Sequence, residues 1–245
     1  MSLSKNQIKR IKSLEQKKQR IKQQLFVAEG VKVVKELLLS SFELEALFVT
    51  SSAARFFESI AFQEITDVDL KKVSTLKSPN GVLALFKIPK EIEVQNTGLI
   101  VALDAVNDPG NLGTIIRLCD WFGVTQLVCS ENTVDCYNSK VVQASMGSLS
   151  RVNINYVSLE NYLQQSNLPK YCADMEGENV YNRVLPTEGI LVMGNEANGI
   201  STEIKKSCTN QLTIPRFGDV QETESLNVAT ATAILLSEFK RTTIQ

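Results

Sequence analysis

The sequence contains no histidine among its 245 residues. Because histidine is the most common general base and a frequent metal ligand, its absence excludes Ser-His, Cys-His and His-metal mechanisms. The cysteines are odd in number and form no C-x-x-C pair, so we interpret them as reduced thiols that mostly fill the core: Cys119, Cys129, Cys136, Cys172 and Cys208. Any chemistry must depend on arginine, lysine, carboxylates, amides and hydroxyls, and we expect no metal site.

Membrane and export signals are missing as well. No apolar run approaches the roughly 18 residues that a membrane-spanning helix needs. The polar and basic start of the chain lacks the apolar centre of a signal peptide. With 43% apolar and 22% charged residues, the composition is typical of a soluble globular protein. We therefore expect a cytoplasmic protein with no membrane partner.

Charge is distributed unevenly along the chain. Residues 1–24 contain eight lysines and arginines against Glu15 alone, a local charge of +7, so the rest of the chain carries −8 for a net charge of −1. A basic segment on an acidic protein favours a polyanion as its partner, and the alternative is a solvated helix face. A helix with one docked face is predicted from a partial apolar stripe: Ile8, Ile11, Leu14 and Ile21.

Two α/β domains are predicted, 1–92 and 97–245. In the first, short apolar strands alternate with helix-like segments. The polar stretch 87–96 contains proline and lacks periodicity, which is typical of a linker. In the second, nearly continuous apolar strands between helices favour a parallel sheet covered on both faces. We also predict a helix over 115–122 and a C-terminal helix with Ser225 as its N-cap.

Three polar turns in the second domain follow apolar strands. Open α/β sheets bind ligands at the C-terminal ends of their strands, although each turn alone is compatible with an ordinary strand-to-helix connection. The turn at 107–114 lacks both the G-x-G-x-x-G and the G-x-x-x-x-G-K-[ST] patterns of nucleotide-binding loops. The turns supply the carboxylate of Glu196 and a set of uncharged hydrogen-bonding side chains: Asn107, Asn111, Asn195, Asn198, Ser225 and Asn227.

Arg117 is the guanidinium expected near these turns. An arginine at the ligand-binding end of a buried sheet needs an anionic partner. That partner is either a bound anion or, in a purely structural role, the carboxylate of Asp104 or Asp120.

Three segments resemble motifs of the SpoU-type RNA ribose 2′-O-methyltransferases. The first is N-L-G-T-I-I-R-L-C-D-W-F-G at 111–123, and the second is M-G-N-E-A-N-G-I-S at 193–201. The third combines Ile214-Pro215 with S-L-N-V-A at 225–229. The N-terminal part resembles the family's companion RNA-binding domain, which is similar to ribosomal protein L30e. Three motifs in this order are far more specific than one.

The resemblance implies an α/β-knot fold, in which the C-terminal segment of a parallel sheet threads through a loop, and a homodimer that completes the site. It implies S-adenosylmethionine as the cofactor, contacted largely through backbone at Gly194, Ile214 and Leu226. The family's active-site positions fall on Asn111, Arg117, Glu196, Ser225 and Asn227. In the basic segment we expect RNA to be bound by Lys9, Arg10, Lys17 and Lys18.

The implied reaction transfers a methyl group to a ribose 2′-hydroxyl of structured RNA, with ribosomal RNA favoured over transfer RNA. We interpret Arg117 as a clamp on a flanking phosphate, because a guanidinium holds its proton too tightly to act as a base. Two alternatives stay open: a non-catalytic RNA-binding protein that retains the knot, and a nucleotide-binding oxidoreductase, disfavoured by the missing dinucleotide pattern. One departure affects the expected cofactor loop, since 216–224 is a few residues longer than the common pattern and has Arg216 where methionine is usual.

Overall fold

The computed structural model describes residues 2–218 and 225–241, so most of the lengthened loop, 219–224, lies outside the described residues. The chain divides into two compact units: the described residues up to Lys90 together with Asp135–Ser150, and Glu91–Val134 together with the described residues from Arg151 onward. Segment 135–150 belongs by sequence to the predicted second domain, yet it packs within the first unit.

The strands of the described residues are, in chain order, β1 Leu25–Glu29, β2 Leu44–Thr50, β3 Gln63–Ile65, β4 Val82–Lys87, β5 Leu99–Leu103, β6 Gln126–Ser130, β7 Asn153–Val157, β8 Lys170–Asn179, β9 Gly189–Met193 and β10 Asn210–Thr213. The α-helices are α1 Lys5–Ser13, α2 Lys17–Gln23, α3 Val31–Leu38, α4 Asp67–Val73, α5 Pro109–Trp121, α6 Ser139–Ser145, α7 Leu159–Gln165, α8 Thr202–Ser207 and α9 Val228–Arg241. None of the helices in this part of the chain is long and apolar enough to cross a membrane.

The first unit is built on a four-stranded mixed sheet in the order β1-β4-β2-β3. Strand β4 pairs antiparallel with both β1 and β2, and β3 adds in parallel to β2. Its core includes the buried side chains of Val27, Phe48, Leu83 and Leu85. The predicted small α/β domain at the N-terminus is therefore confirmed.

The basic segment forms two helices, α1 and α2, rather than one. Ile11 and Leu14 are buried as predicted. Ile21, however, is 57% exposed, so its predicted place on the docked face is wrong. Leu14 and the following turn separate the helices and change the direction of the chain, and α2 then buries Arg20 instead.

Arg20 forms a buried ion pair with Asp135. Its side chain is only 3% exposed, its Nε donates to Asp135 Oδ2 at 2.8 Å, and its Nη1 donates to the carbonyl oxygens of Leu14 and Glu15, both at 2.8 Å. Removing one partner of a buried pair leaves an uncompensated charge, at a cost of about 3–5 kcal/mol. This pair connects segment 135–150 to α2, and it removes Arg20 from the exposed positive charges of the basic segment.

The second unit contains a six-stranded sheet in the order β10-β8-β9-β5-β6-β7, and every pairing is parallel. Strands β5 and β9 lie at the centre, and each of their residues is buried. Burial on both faces explains their continuous apolar sequences, and the predicted parallel sheet is confirmed.

Two helix starts differ from the predictions. Helix α5 begins at Pro109 rather than at 115, because the carboxylate of Asp108 accepts the backbone N–H of Asn111 at 2.8 Å and proline suits the first helical position. Helix α9 is capped by Asn227 and not by Ser225. The Oδ1 of Asn227 accepts the backbone N–H groups of Ala229 at 3.0 Å and Thr230 at 3.2 Å.

Candidate active site

The central strands β5 and β9 end side by side. Leu103 pairs with Met193 at the last position of both strands, and the next amide, Asp104 N, donates to the Met193 carbonyl at 2.9 Å. The Asp104 carboxylate then accepts the backbone N–H of Ser201 at 2.8 Å. Two of the three predicted polar turns are thus held together at one edge of the sheet.

Asn195 fixes the shape of the turn after β9. Its Oδ1 accepts the backbone N–H groups of Ala197 and Asn198, at 2.9 and 3.1 Å, and its Nδ2 donates to the Ala105 carbonyl at 2.7 Å. Ala105 has a φ of +55°, a left-handed conformation that is costly for a residue with a side chain. Its own N–H donates to Ser130 Oγ at 2.8 Å, so hydrogen bonds on both sides of Ala105 hold this conformation.

Gly194 occupies a position where the backbone passes very close to itself. A Cβ at residue 194 would lie 2.3 Å from the carbonyl carbon of Gly199. Asn195 and Gly199 exchange both of their backbone hydrogen bonds at 2.9 Å, so the facing backbone cannot withdraw cheaply. The turn therefore requires glycine at residue 194.

A chain of side-chain hydrogen bonds joins all three predicted motifs. Asn227 Nδ2 donates to Asn111 Oδ1 at 2.9 Å, and Asn111 Nδ2 donates to Glu196 Oε1 at 2.8 Å. Three of the five predicted catalytic residues are in direct contact, one from the start of α9, one from the first turn of α5 and one from the turn after β9. We call these three side chains the amide chain.

The direction of these hydrogen bonds follows from the capping of α9. The Oδ1 of Asn227 already accepts two backbone N–H groups, so its Nδ2 must face Asn111. The Oδ1 of Asn111 accepts that hydrogen bond, which leaves its Nδ2 to donate to Glu196. An ionised carboxylate only accepts hydrogen bonds, so the carboxylate of Glu196 is the natural end of the chain.

Arg117 lies on the exposed surface of α5. Its guanidinium makes no ion pair with any residue in the described ranges 2–218 and 225–241. Asp120 instead pairs with Arg151 at 2.9 Å, and Asp104 holds the turn after β9. The purely structural interpretation of Arg117, an ion pair with Asp104 or Asp120, is therefore wrong.

Other predicted site residues are not joined to the amide chain by hydrogen bonds among the described residues. Ser225 is exposed, Leu226 is 49% exposed and Ile214 is half-buried. Strand β10, which precedes Ile214, lies at the sheet edge and is separated from β9 by β8. Of the third motif, Asn227 is the residue that hydrogen-bonds to the amide chain.

Three side chains have structural roles that were not predicted from the sequence: Asp104, Asp108 and Asn195. Each accepts backbone N–H groups: Asp104 from Ser201, Asp108 from Asn111, and Asn195 from its own turn. A local signal existed for Asp108, because aspartate followed by proline is a typical helix start. No local signal existed for Asp104, whose partner lies 97 residues away.

The fold and the joined turns define a ligand-binding α/β domain with its site at the strand ends. Residues 98–237 match the sequence profile described as "SpoU rRNA Methylase family", and residues 5–84 match "MRM3-like substrate binding domain". The chain belongs to the SpoU rRNA methylase family. The predicted family, the methyltransferase class and the N-terminal companion domain are confirmed.

Relatives and solved structures agree with this membership over nearly the whole chain. A Bacillus subtilis protein, "23S rRNA (guanosine(2553)-2'-O)-methyltransferase RlmP", is 29% identical and aligns with 95% of this chain and 96% of its own. A Porphyromonas gingivalis structure, described as a candidate RNA methyltransferase of the TrmH family, is 39% identical, covers 99% of this chain and 100% of its own, and has a TM-score of 0.87. An "AdoMet bound rRNA methyltransferase" from Sinorhizobium meliloti is 27% identical, with 100% and 98% coverage and a TM-score of 0.85.

Two substitutions of Asn227 separate helix capping from the amide chain. Asn227→Ala removes both functions, and we expect a loss of stability of about 0.5–2 kcal/mol, typical of a lost N-cap. Asn227→Asp keeps an acceptor for Ala229 and Thr230 but has no N–H for Asn111. In urea unfolding, we expect Asn227→Asp to be nearly as stable as the parent. We expect it to methylate RNA roughly 2- to 10-fold more slowly, the effect expected from losing the one hydrogen bond to Asn111. Parental activity in a stable Asn227→Asp variant would show that the amide chain is dispensable.

Proposed function

We propose that this protein transfers a methyl group from S-adenosylmethionine to a ribose 2′-hydroxyl of structured RNA, with ribosomal RNA as its substrate class. The observation that carries the proposal is the amide chain, which holds family positions from three separate motifs together at the strand ends of the sheet. The name of the Bacillus subtilis relative, which aligns almost end to end, supports ribosomal RNA and ribose methylation. We propose that the reaction takes place in the cytoplasm.

The residues at the strand ends suit this cofactor. The turns 104–114 and 194–201 contain no lysine or arginine and carry three carboxylates, so they favour a ligand whose sulfur is positively charged: Asp104, Asp108 and Glu196. Gly194, Ile214 and Leu226 would hold the cofactor, through backbone at the glycine and through apolar contact at the other two. The bound cofactor supplies an activated methyl group on a sulfonium sulfur.

The protein's own residues act mainly by positioning. Aligning a weakly nucleophilic hydroxyl with an activated methyl group converts a bimolecular reaction into an effectively unimolecular one. Cys119 lies on the same helix as Arg117, but burial, with a smaller effect of Asp120, raises the pKa of its thiol to about 12. That thiol stays protonated at neutral pH and is excluded as a base. Arg117 binds the phosphate next to the target ribose, while the amide chain and Ser225 orient the reacting groups.

The role of Arg117 is tested by two substitutions. We expect Arg117→Ala to retain folding and cofactor affinity and to lower methylation by at least about 100-fold, the size of a lost positioning contact. Arg117→Lys should restore little, because a lysine cannot make the paired contacts that a guanidinium makes with phosphate. Single-turnover assays with labelled cofactor give the rate, and calorimetry gives the cofactor affinity. Equal methylation rates in Arg117→Ala and the parent would show that Arg117 does not position the substrate through a phosphate.

The N-terminal helices supply an RNA-binding surface at Lys9, Arg10, Lys17 and Lys18, all of which are exposed. Arg10 pairs with Glu45 at 2.9 Å, with the two side chains 46% and 31% exposed. A pair this exposed contributes only about 0–1 kcal/mol, so a phosphate can replace the carboxylate at little cost. Because Arg20 is buried against Asp135, it is not part of this surface.

Reversing the charge of Lys9, Arg10, Lys17 and Lys18 should weaken RNA binding and flatten its salt dependence, because each phosphate contact releases counterions. The measurement is RNA affinity at several salt concentrations. A control with the same change in net charge reverses four other exposed lysines: Lys71, Lys90, Lys140 and Lys206. If the salt dependence of RNA affinity decreases equally in both variants, the net charge of the protein, and not the position of these residues on α1 and α2, determines RNA affinity.

We also infer that the chain is knotted and acts as a homodimer. Helices α5 and α9 pack against each other within the second unit. At the end of α5, Trp121 is 84% exposed, and Leu226 just before α9 is 49% exposed. Large exposed apolar side chains are enriched at protein interfaces. The hydrogen bond between Asn111 and Asn227 brings the starts of the two helices together, so Leu226 lies near that end and Trp121 at the opposite end of α5. A partner that lies along both helices would bury both residues.

The dimer is tested on the full chain, because segment 135–150 would lose its packing partners in a fragment that begins at residue 97. We expect twice the monomer mass by sedimentation, and we expect Trp121→Glu to shift the protein to monomer. Leu39→Glu is the matched control, since Leu39 is 88% exposed in the first unit. A monomeric parent protein with full methylation activity would overturn the inference.

A further inference from the structure

The first unit presents a partly exposed aromatic ring with two cations over it. Phe56 is 39% exposed, with Lys35 Nζ 4.9 Å and Arg55 Cζ 4.8 Å from the ring centroid. Neither cation makes an ion pair with a carboxylate of the described residues. We call Lys35, Arg55 and Phe56 the Phe56 platform.

The backbone on both sides of Phe56 is packed and hydrogen-bonded. Ala53 and Phe57, on either side of the short 3-10 turn 54–56, are 3% and 1% exposed. Phe56 N donates to the Ala53 carbonyl at 3.0 Å, and Phe57 N donates to the Ala54 carbonyl at 2.9 Å. Gly81, at a φ of +78°, packs against Ala53 so closely that a Cβ there would lie 2.7 Å from Ala53 Cβ. Buried neighbours and backbone hydrogen bonds therefore hold the backbone that carries the exposed ring.

This chemistry matches an unpaired nucleotide. Aromatic rings stack on unstacked bases with little dependence on sequence, at about 1–3 kcal/mol per base. An exposed cation–π contact contributes only about 0.5–1 kcal/mol, so a base can displace a cation from the ring, and the displaced cation can then bind a flanking phosphate. A fully paired RNA helix keeps its bases stacked inside and offers no free face to the ring. We propose that the Phe56 platform binds an unpaired nucleotide of the RNA substrate, with the base stacked on Phe56 and the flanking phosphates bound by Lys35 and Arg55.

The platform is separate from the basic surface of α1 and α2. Arg10 pairs with Glu45 near the start of β2, whereas Phe56 follows Thr50 at the end of β2. Five residues of strand span roughly 17 Å at about 3.3 Å per residue. An RNA that contacts both surfaces meets the first unit at two points, and the proposal adds to the proposed function a requirement for an unpaired nucleotide at the second.

The test uses the full-length protein and two fluorescein-labelled RNAs, a 12-nucleotide oligoadenylate and a blunt 12-base-pair duplex. We expect Phe56→Leu to weaken oligoadenylate binding by roughly 5- to 150-fold, the range for one lost stacking contact, with an unchanged salt slope. Phe56→Trp should bind within about twofold of the parent, because it retains a stacking face. Lys35→Gln with Arg55→Gln should instead flatten the salt slope. Duplex affinity should not change in Phe56→Leu.

The control is Val68→Ala, which trims another exposed apolar side chain of the first unit and should leave both affinities unchanged. Parental oligoadenylate affinity in Phe56→Leu would overturn the proposal, as would undetectable oligoadenylate binding by the parent protein at low salt. Because the proposal rests on RNA being the substrate, methylation of ribosomal RNA by the parent is measured separately. If the parent protein methylates ribosomal RNA and Phe56→Leu has parental oligoadenylate affinity, the platform proposal is rejected and the proposed function stands. If the parent protein does not methylate RNA but Phe56→Leu still binds oligoadenylate more weakly, the proposed function is rejected and the platform proposal stands.

Discussion

The hydrogen bonds from Asn227 to Asn111 and from Asn111 to Glu196 are the contacts on which the candidate site depends. They join parts of the chain that are 116 and 85 residues apart. Each member is held by its own local structure: Asn227 by capping α9, Asn111 by the first turn of α5, and Glu196 by the turn after β9. The site is thus a consequence of two helix starts and one strand end meeting at one edge of a parallel sheet.

The absence of histidine is consistent with this arrangement. In the proposed reaction the methyl donor is already activated, so the reaction requires alignment of the reacting groups more than proton transfer. Amide side chains and a guanidinium can provide that alignment without histidine. The buried thiol of Cys119 is held protonated, and Glu196 is committed to a hydrogen bond with Asn111. Arg117, by contrast, has no ion pair among the described residues, which leaves its charge available to a phosphate.

The proposed RNA-binding surfaces of the first unit depend on which cations are used by the fold. Arg20 is buried against Asp135 and stabilises segment 135–150, although it lies within the basic segment 1–24. Arg10 is held only by an exposed pair, and Lys35 and Arg55 lie against an exposed ring. Burial, and not the count of positive residues, decides which side chains can meet a phosphate.

The sequence by itself determined the α/β class, the parallel sheet and the family, because strand burial and motif order are written in local patterns. It also indicated Asn111, Glu196 and Asn227 as candidate site residues, and the structure brings these three side chains into hydrogen-bonding contact. The sequence pattern gave the wrong start for α5, the wrong cap for α9 and a wrong prediction that Ile21 is buried. The two helix starts depend on which side chain accepts the first backbone N–H groups, and the exposure of Ile21 depends on which face of α2 packs on the core. Only the tertiary structure decided that Asp104 holds Ser201 and that segment 135–150 packs with the first unit, because those contacts join residues about 100 apart, which no local periodicity encodes.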